Sequence, residues 1–138
     1  MLTRRRFGAC ALCAAFGLAA TAANAQSAPG ATGGVSRTIL QRIEYPGDKY
    51  VTILVTAEIG PGAIVARHTH PGVESAYIME GEGTLLVKGQ PDRVVKATDS
   101  FQIPPDTPHG LRNGPTRMRI AGSYVVEKDK PLASPAPE

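Results

Sequence analysis

The chain has 138 residues, with 15 Lys and Arg against 12 Asp and Glu. Arg4, Arg5 and Arg6 account for this basic excess, so the rest of the chain carries 12 basic residues against 12 acidic ones. A protein that binds nucleic acid needs a cationic excess on its folded domain. The balance therefore predicts no nucleic-acid partner.

Residues 1–25 have the features of a signal peptide. A basic start is followed by the alanine-rich apolar run GACALCAAFGLAATAA, and Ala23 and Ala25 fit the small-residue cleavage rule. The run is too short and alanine-rich for a membrane span, so no stable membrane anchor is predicted. The segment TRRRF at residues 3–7 resembles a twin-arginine export signal, and the general secretory route is the alternative. Both routes predict a periplasmic or secreted protein.

The rest of the chain predicts one domain without a disulfide. Both cysteines, Cys10 and Cys13, lie in the leader, so the exported protein has no thiol. Residues 26–36 are rich in Gly, Ala and Ser and predict a flexible linker, and the proline-rich residues 129–138 predict a disordered tail. The packed unit is therefore expected over residues 37–128.

An all-β fold is predicted for this unit. Short runs rich in Val, Ile, Thr and Tyr alternate with Gly- and Pro-containing turns, and no stretch of ten residues shows a helical apolar stripe. Eight or nine short strands with little helix indicate a sandwich or barrel.

The segment RHTHPGVE at residues 67–74 holds two histidines and a carboxylate around a predicted turn. Pro71 and Gly72 suit the centre of a type II turn. Strict alternation would place Ile64 and Ala66 inward with His68 and His70, and Val65 and Arg67 outward. Glu74 would then enter the next strand on the inward face with Ala76 and Ile78.

The remaining histidine, His109, lies 35 residues beyond Glu74 in a proline-rich loop that leads into a strand. An isolated His-x-His in a strand is more often an exposed polar pair than a ligand set. Here every histidine of the chain falls into one set with a glutamate, which favours a metal site. His68, His70, Glu74 and His109 would bind one divalent transition metal ion. Fe or Mn is favoured because a twin-arginine signal exports folded protein that has already taken up metal in the cytoplasm, and Zn, Ni or Cu are the alternatives.

These residues resemble the two motifs of the cupin superfamily. Residues 62–81 match the first motif at every position, from Gly62 through the three ligands to Gly81. Residues 98–113 keep the Pro, His and Asn of the second motif. Thr98 and Asp106 replace its two glycines.

The resemblance implies a single-domain cupin of the type-2, quercetinase-like kind. Such proteins have a double-stranded β-helix, or jelly-roll barrel, and often form homodimers. The fold alone does not select a reaction. We expect a dioxygenase-like enzyme acting on a small enol, diketone or phenolic molecule, with Glu74 as a ligand or catalytic base. The alternatives are a non-catalytic metal- or ligand-binding protein, and a non-oxidative isomerase, decarboxylase or lyase.

Overall fold

The computed structural model describes residues 34–137. The predicted signal peptide at residues 1–25 lies outside the described residues. Ten strands follow one another in the described part of the chain: β1 (Val35–Glu44), β2 (Tyr50–Ile59), β3 (Ile64–Thr69), β4 (Gly72–Glu80), β5 (Glu82–Val87), β6 (Arg93–Lys96), β7 (Ser100–Ile103), β8 (His109–Asn113), β9 (Met118–Glu127) and β10 (Ser134–Pro135).

The strands form two five-stranded antiparallel sheets. The first sheet has the order β1-β2-β9-β4-β7, and the second has the order β10-β3-β8-β5-β6. Consecutive strands along the chain repeatedly change sheet, as in a jelly roll. The predicted all-β fold in a single domain is confirmed. Among residues 34–137 there is no helix long and apolar enough to cross a membrane.

The core lies between the two sheets, because alternate residues of each strand face inward. Buried and less buried residues alternate along β4 and along β9. Ile78 and Met118 are completely inaccessible to solvent. Burying a side chain of this size contributes about 1.5–3 kcal/mol. Glu74, Ala76 and Ile78 share the buried face of β4, as alternation predicts.

A β-bulge in β3 changes which of its residues face the core. Between the pairs Val65–Leu111 and His68–His109, β3 has one residue more than β8. The extra residue reverses the alternation, so Val65 packs against the core on the same side as His68, whereas Ile64 is 49% exposed. The predicted inward position of Ile64 and outward position of Val65 are therefore wrong.

The connection from β3 to β4 is not the predicted type II turn. Such a turn needs a positive φ at Gly72, but Gly72 is the first residue of β4 and is not among the residues with positive φ. The glycine has a different role here. A Cβ at this position would overlap the carbonyl oxygen of Val125 in the neighbouring strand β9, so only glycine allows the two backbones to approach this closely.

The two residues that replace glycines of the second motif keep a left-handed backbone. Thr98 has a φ of 77° and Asp106 a φ of 55°. Asp adopts this region at moderate cost, but a β-branched residue such as Thr is strained there. The turn geometry is therefore retained without the glycines.

The boundaries of the folded unit are wider than predicted. β1 begins at Val35, inside the predicted linker, and Val35 packs against the core. The predicted disordered tail begins at residue 129, yet Ser134 and Pro135 pair with β3 and Ala133 is only 4% exposed. β3 would otherwise be an unpaired sheet edge, and the tail pairs with its last residues, from Arg67 to Thr69, despite its proline-rich composition.

Candidate metal centre

The three imidazoles converge because the second sheet places them side by side. His68 in β3 pairs directly with His109 in β8, so both side chains leave the same face of that sheet, with ring centroids 4.3 Å apart. His70 follows two residues after His68 and returns to that face. One ring nitrogen from each histidine lies within 4.8 Å of the other two, and all three residues are buried.

Backbone carbonyls fix the orientation of each imidazole. The Nδ1 atoms donate to Ala66 O at 2.8 Å for His68, to Leu132 O at 2.6 Å for His70 and to Thr107 O at 2.9 Å for His109. A carbonyl oxygen only accepts, so each Nδ1 carries a hydrogen. When such a ring is neutral, its Nε2 atom therefore has the free lone pair that metal binding requires.

The first sheet supplies a carboxylate and a phenol to the same point. Glu74 in β4 and Tyr124 in β9 are opposite each other in the strand pairing. Tyr124 Oη donates to Glu74 Oε1 at 2.9 Å. Glu74 Oε2 lies 2.9 Å from His109 Nε2 and 3.3 Å from His70 Nε2. The carboxylate therefore sits among the ligand nitrogens.

The proton affinities of these groups follow from burial and from their contacts. Burial, then the neighbouring His109, lower the pKa of His68 to about 4, so this imidazole is neutral at pH 7. Burial raises the pKa of Glu74, but the close contacts of its carboxylate with the rings of His109 and His70 outweigh burial and hold that pKa well below its usual range. Burial and the charge of Glu74 raise the pKa of Tyr124, so its hydroxyl stays protonated.

The arrangement fits a metal ion. His70 Nε2 is buried and has no hydrogen-bond partner among the described residues. An imidazole lone pair and a carboxylate oxygen at 2.9 Å, as at His109 and Glu74, need a cation or proton between them. Three imidazole nitrogens with a carboxylate suit Fe, Mn, Ni, Cu or Zn. The site is thus a buried three-histidine metal site, while the identity of the ion stays a prediction.

The cavity at the site is small and is lined by residues of both sheets. Its volume is about 40 Å³. Since one water needs roughly 10–15 Å³ on this measure, the cavity holds an ion with a few additional atoms. Its polar lining consists of His68, His109, Glu74, Tyr124 and Arg37.

The four predicted ligand residues are thus brought together, and whether Glu74 binds the ion or acts as a base stays a prediction. Three further residues that help to form the site were not predicted from the sequence. Tyr124 and Arg37 line the cavity, and the carbonyl of Leu132 orients His70. A tyrosine on the inward face of a strand was the available signal for Tyr124. The sequence contains no comparable signal for Leu132, because its role depends on the docked tail.

Asn113, the asparagine of the second motif, is buried at the end of β8. Its Nδ2 atom donates within 3.0 Å to the carbonyls of Ile59, Gly60 and Thr116. These bonds tie the loop after β2 to the loop after β8. Asn113 is therefore a structural residue that does not touch the histidines.

Comparison with known proteins finds similarity to two lyases of one organism. Over 73 residues it is 33% identical to the dimethylsulfoniopropionate lyase DddW of Ruegeria pomeroyi, covering 53% of this chain and 47% of the lyase. The lyase DddQ of the same organism superposes with a TM-score of 0.64 at 20% identity, covering 75% of this chain and 52% of DddQ. The chain thus spans about half the length of each lyase.

A cupin-like protein of Thermotoga maritima has the same fold over nearly its whole length. It superposes with a TM-score of 0.65 at 24% identity, covering 82% of this chain and 84% of the Thermotoga protein. Residues 55–126 match the cupin domain family, and this range extends from β2 to β9 and includes all four predicted ligand residues. The chain therefore belongs to the cupin domain family.

Proposed function

We propose that the protein is a metal-dependent enzyme whose reaction does not use molecular oxygen. It removes a proton from the carbon next to a carbonyl or carboxylate group of a small molecule. The convergence of three buried imidazoles with the hydrogen-bonded pair of Glu74 and Tyr124 carries this proposal. A divalent ion at the three histidines would stabilise the negative charge that develops on the substrate oxygen.

Glu74 and Tyr124 provide the proton transfer that this chemistry needs. Glu74 is ionised and can accept a proton, and Tyr124 holds its proton at Oη, 2.9 Å from Glu74 Oε1. In a lyase reaction the substrate proton would go to this pair, and the C–H electrons would form a carbon–carbon double bond as the bond to the leaving group breaks. This reaction is redox-neutral and needs no second substrate.

The similarity to two enzymes named as lyases supports the non-oxidative reaction. A metal-dependent dioxygenase acting on an enol, diketone or phenolic molecule is the second candidate. The donor set favours it, because three imidazoles and a carboxylate suit the redox-active ions Fe and Mn. The two reactions differ in their need for oxygen.

Proton exchange in D₂O tests the main proposal. Protein loaded in turn with Mn, Fe, Co, Ni and Zn would be incubated under argon with a panel of small carboxylic acids and ketones, and products followed by NMR. We expect deuterium incorporation next to the carbonyl, or an unsaturated product, with at least one ion. His70→Ala and metal-free protein should show neither. Product formation or oxygen consumption only in air would favour the dioxygenase, and tight binding without any product would favour a binding protein.

Metal binding is tested separately from turnover. We expect the wild-type protein to hold about one equivalent of divalent ion after dialysis, and His70→Ala or His109→Ala to lose it. Glu74→Gln retains the shape of the side chain but removes its negative charge, so a fall in metal affinity of tenfold or more would show that Glu74 is a ligand. An unchanged affinity would leave Glu74 with the role of a base alone.

We also propose export to the periplasm and a homodimer. The outer face of the first sheet supports the dimer, since the directly paired Val73 and Val125 are 37% and 39% exposed and Tyr77 is 47% exposed. Analytical ultracentrifugation tests the dimer. Cell fractionation with Arg4 and Arg5 replaced by Lys tests the twin-arginine route.

A further inference from the structure

Arg37 is a cation that faces the metal cavity from the edge of the first sheet. It lies in β1 opposite Ala57 of β2, and both residues line the cavity that also contains His68, Glu74 and His109. Its Cζ atom lies 6.0 Å from the centroid of the Tyr124 ring, and the His70 ring lies 4.8 Å from the same ring. A single small molecule can therefore reach both Arg37 and the metal site.

This arginine lacks the partner that a half-buried cation normally has. Within residues 34–137, Arg37 forms no ion pair with a carboxylate within 4.0 Å, and its buried Nε makes no hydrogen bond. By contrast, Arg117 and Arg119 both form ion pairs with Glu58 and Glu80. A partly desolvated charge without a partner is costly, and the weak contact with the Tyr124 ring offsets only part of that cost.

The charges around the cavity favour an anion. Glu74 is the one carboxylate among the described residues that line it. A divalent ion and Arg37 would together carry three positive charges against this single negative one, in a space that excludes most water. The planar guanidinium is also suited to bidentate binding of a carboxylate. The cavity therefore has a net attraction for an anionic group and repels a cationic one.

From these observations we propose that Arg37 binds the carboxylate of the substrate and so restricts the enzyme to small carboxylic acids. The proposal rests on the proposed function, because only an enzyme has a substrate. The binding of the carboxylate can nevertheless be measured without turnover. The cavity volume of about 40 Å³ limits the acid to a short chain near the ion.

The test compares an acid with its uncharged isostere. Propionate and propionamide would be titrated into Co(II)-loaded protein, with binding followed by calorimetry and by the visible spectrum of the ion. We expect wild type to bind propionate at least tenfold more tightly than propionamide. Arg37→Met, which retains length and removes charge, should weaken propionate binding at least tenfold, and Arg37→Lys should weaken it less. Arg42→Met, at an exposed position of the same strand, is the control and should match wild type.

Two measurements separate a binding role from a structural one. Metal content should be unchanged in Arg37→Met, and its urea midpoint should equal or exceed that of wild type, because an unpaired cation is removed. Equal affinity of Arg37→Met and wild type for propionate, or no preference of wild type for propionate over propionamide, would overturn the proposal. Neither result would affect the proton-exchange experiment, which tests the proposed function by itself.

Discussion

Tyr124 Oη and Glu74 Oε1 are joined by a 2.9 Å hydrogen bond between two neighbouring strands of the first sheet. The other oxygen of the carboxylate faces the histidines that the second sheet provides. Glu74 thus connects the phenol on one sheet with the three imidazoles on the other. The site exists only where the two sheets face each other, so its chemistry depends on their packing.

Removing the Tyr124 hydroxyl should impair turnover more than folding. Tyr124→Phe leaves Glu74 Oε1 without its donor, which costs about 1–3 kcal/mol of unfolding free energy. If the hydroxyl moves a proton during the reaction, kcat should fall about 10²–10⁴-fold. Urea unfolding and steady-state kinetics measure the two effects. Tyr77→Phe, at a 47% exposed position, should change neither. An unchanged kcat in Tyr124→Phe would assign the hydroxyl a purely structural role.

The metal-free protein should lose stability in mild acid because of His68. The pKa of this imidazole is lowered to about 4 in the folded state from its ordinary value of 6.5. Below pH 6.5 the unfolded chain takes up a proton at His68 that the folded protein does not. The unfolding free energy that depends on the neutral imidazole is therefore fully present above pH 6.5 and is lost as the pH falls towards 4. The loss is on the order of 3 kcal/mol.

Urea midpoints of the metal-free protein between pH 7.5 and 4 measure this loss. His68→Gln cannot take up a proton in this range, so it should have a flatter stability profile than wild type. Equal slopes for the two proteins would show that His68 is not the group responsible.

The tail should control metal affinity although it contributes no ligand. A chain that ends at Lys130 lacks the Leu132 carbonyl that accepts from His70 Nδ1 at 2.6 Å. The loss of such a contact to a metal-bound histidine typically costs 10–100-fold in affinity. A chain that ends at Ala136 keeps this carbonyl and the 3.0 Å bond from Ala136 N to Arg67 O, and is the matched control. Competition with a chelator well below the unfolding temperature measures affinity. The same affinity in both truncated chains would contradict the prediction.

Restoring the motif glycine at Thr98 should stabilise the protein. The left-handed backbone costs an L-residue roughly 1–2 kcal/mol, which glycine avoids, while glycine raises the entropy of the unfolded chain by about 0.5–1 kcal/mol. We therefore expect Thr98→Gly to increase the unfolding free energy by up to about 1.5 kcal/mol. Thr38→Gly in β1, where φ is not positive, should decrease it. Thermal unfolding of both variants provides the check, and a loss of stability in Thr98→Gly would show that the strain is not relieved.

Much of this protein can be predicted from local patterns. The alternation of apolar residues and the frequent turns indicate an all-β domain, because strand periodicity is a property of neighbouring residues. The spacing of His68, His70 and Glu74 and the position of His109 are enough to identify the histidine cluster. Strict alternation nevertheless fails at Val65, where a bulge changes the face that each residue presents.

The tertiary structure alone decides the contacts between residues far apart in the chain. Arg37, Tyr124 and Leu132 reach the site because strand pairing and the docking of the tail bring together segments separated by up to 95 residues, and no local pattern encodes the register of those pairings. The sequence by itself therefore determined the fold class and the histidine cluster. The packing of the two sheets decided which charge, hydroxyl and carbonyl surround them, since these depend on distances that only the folded chain defines.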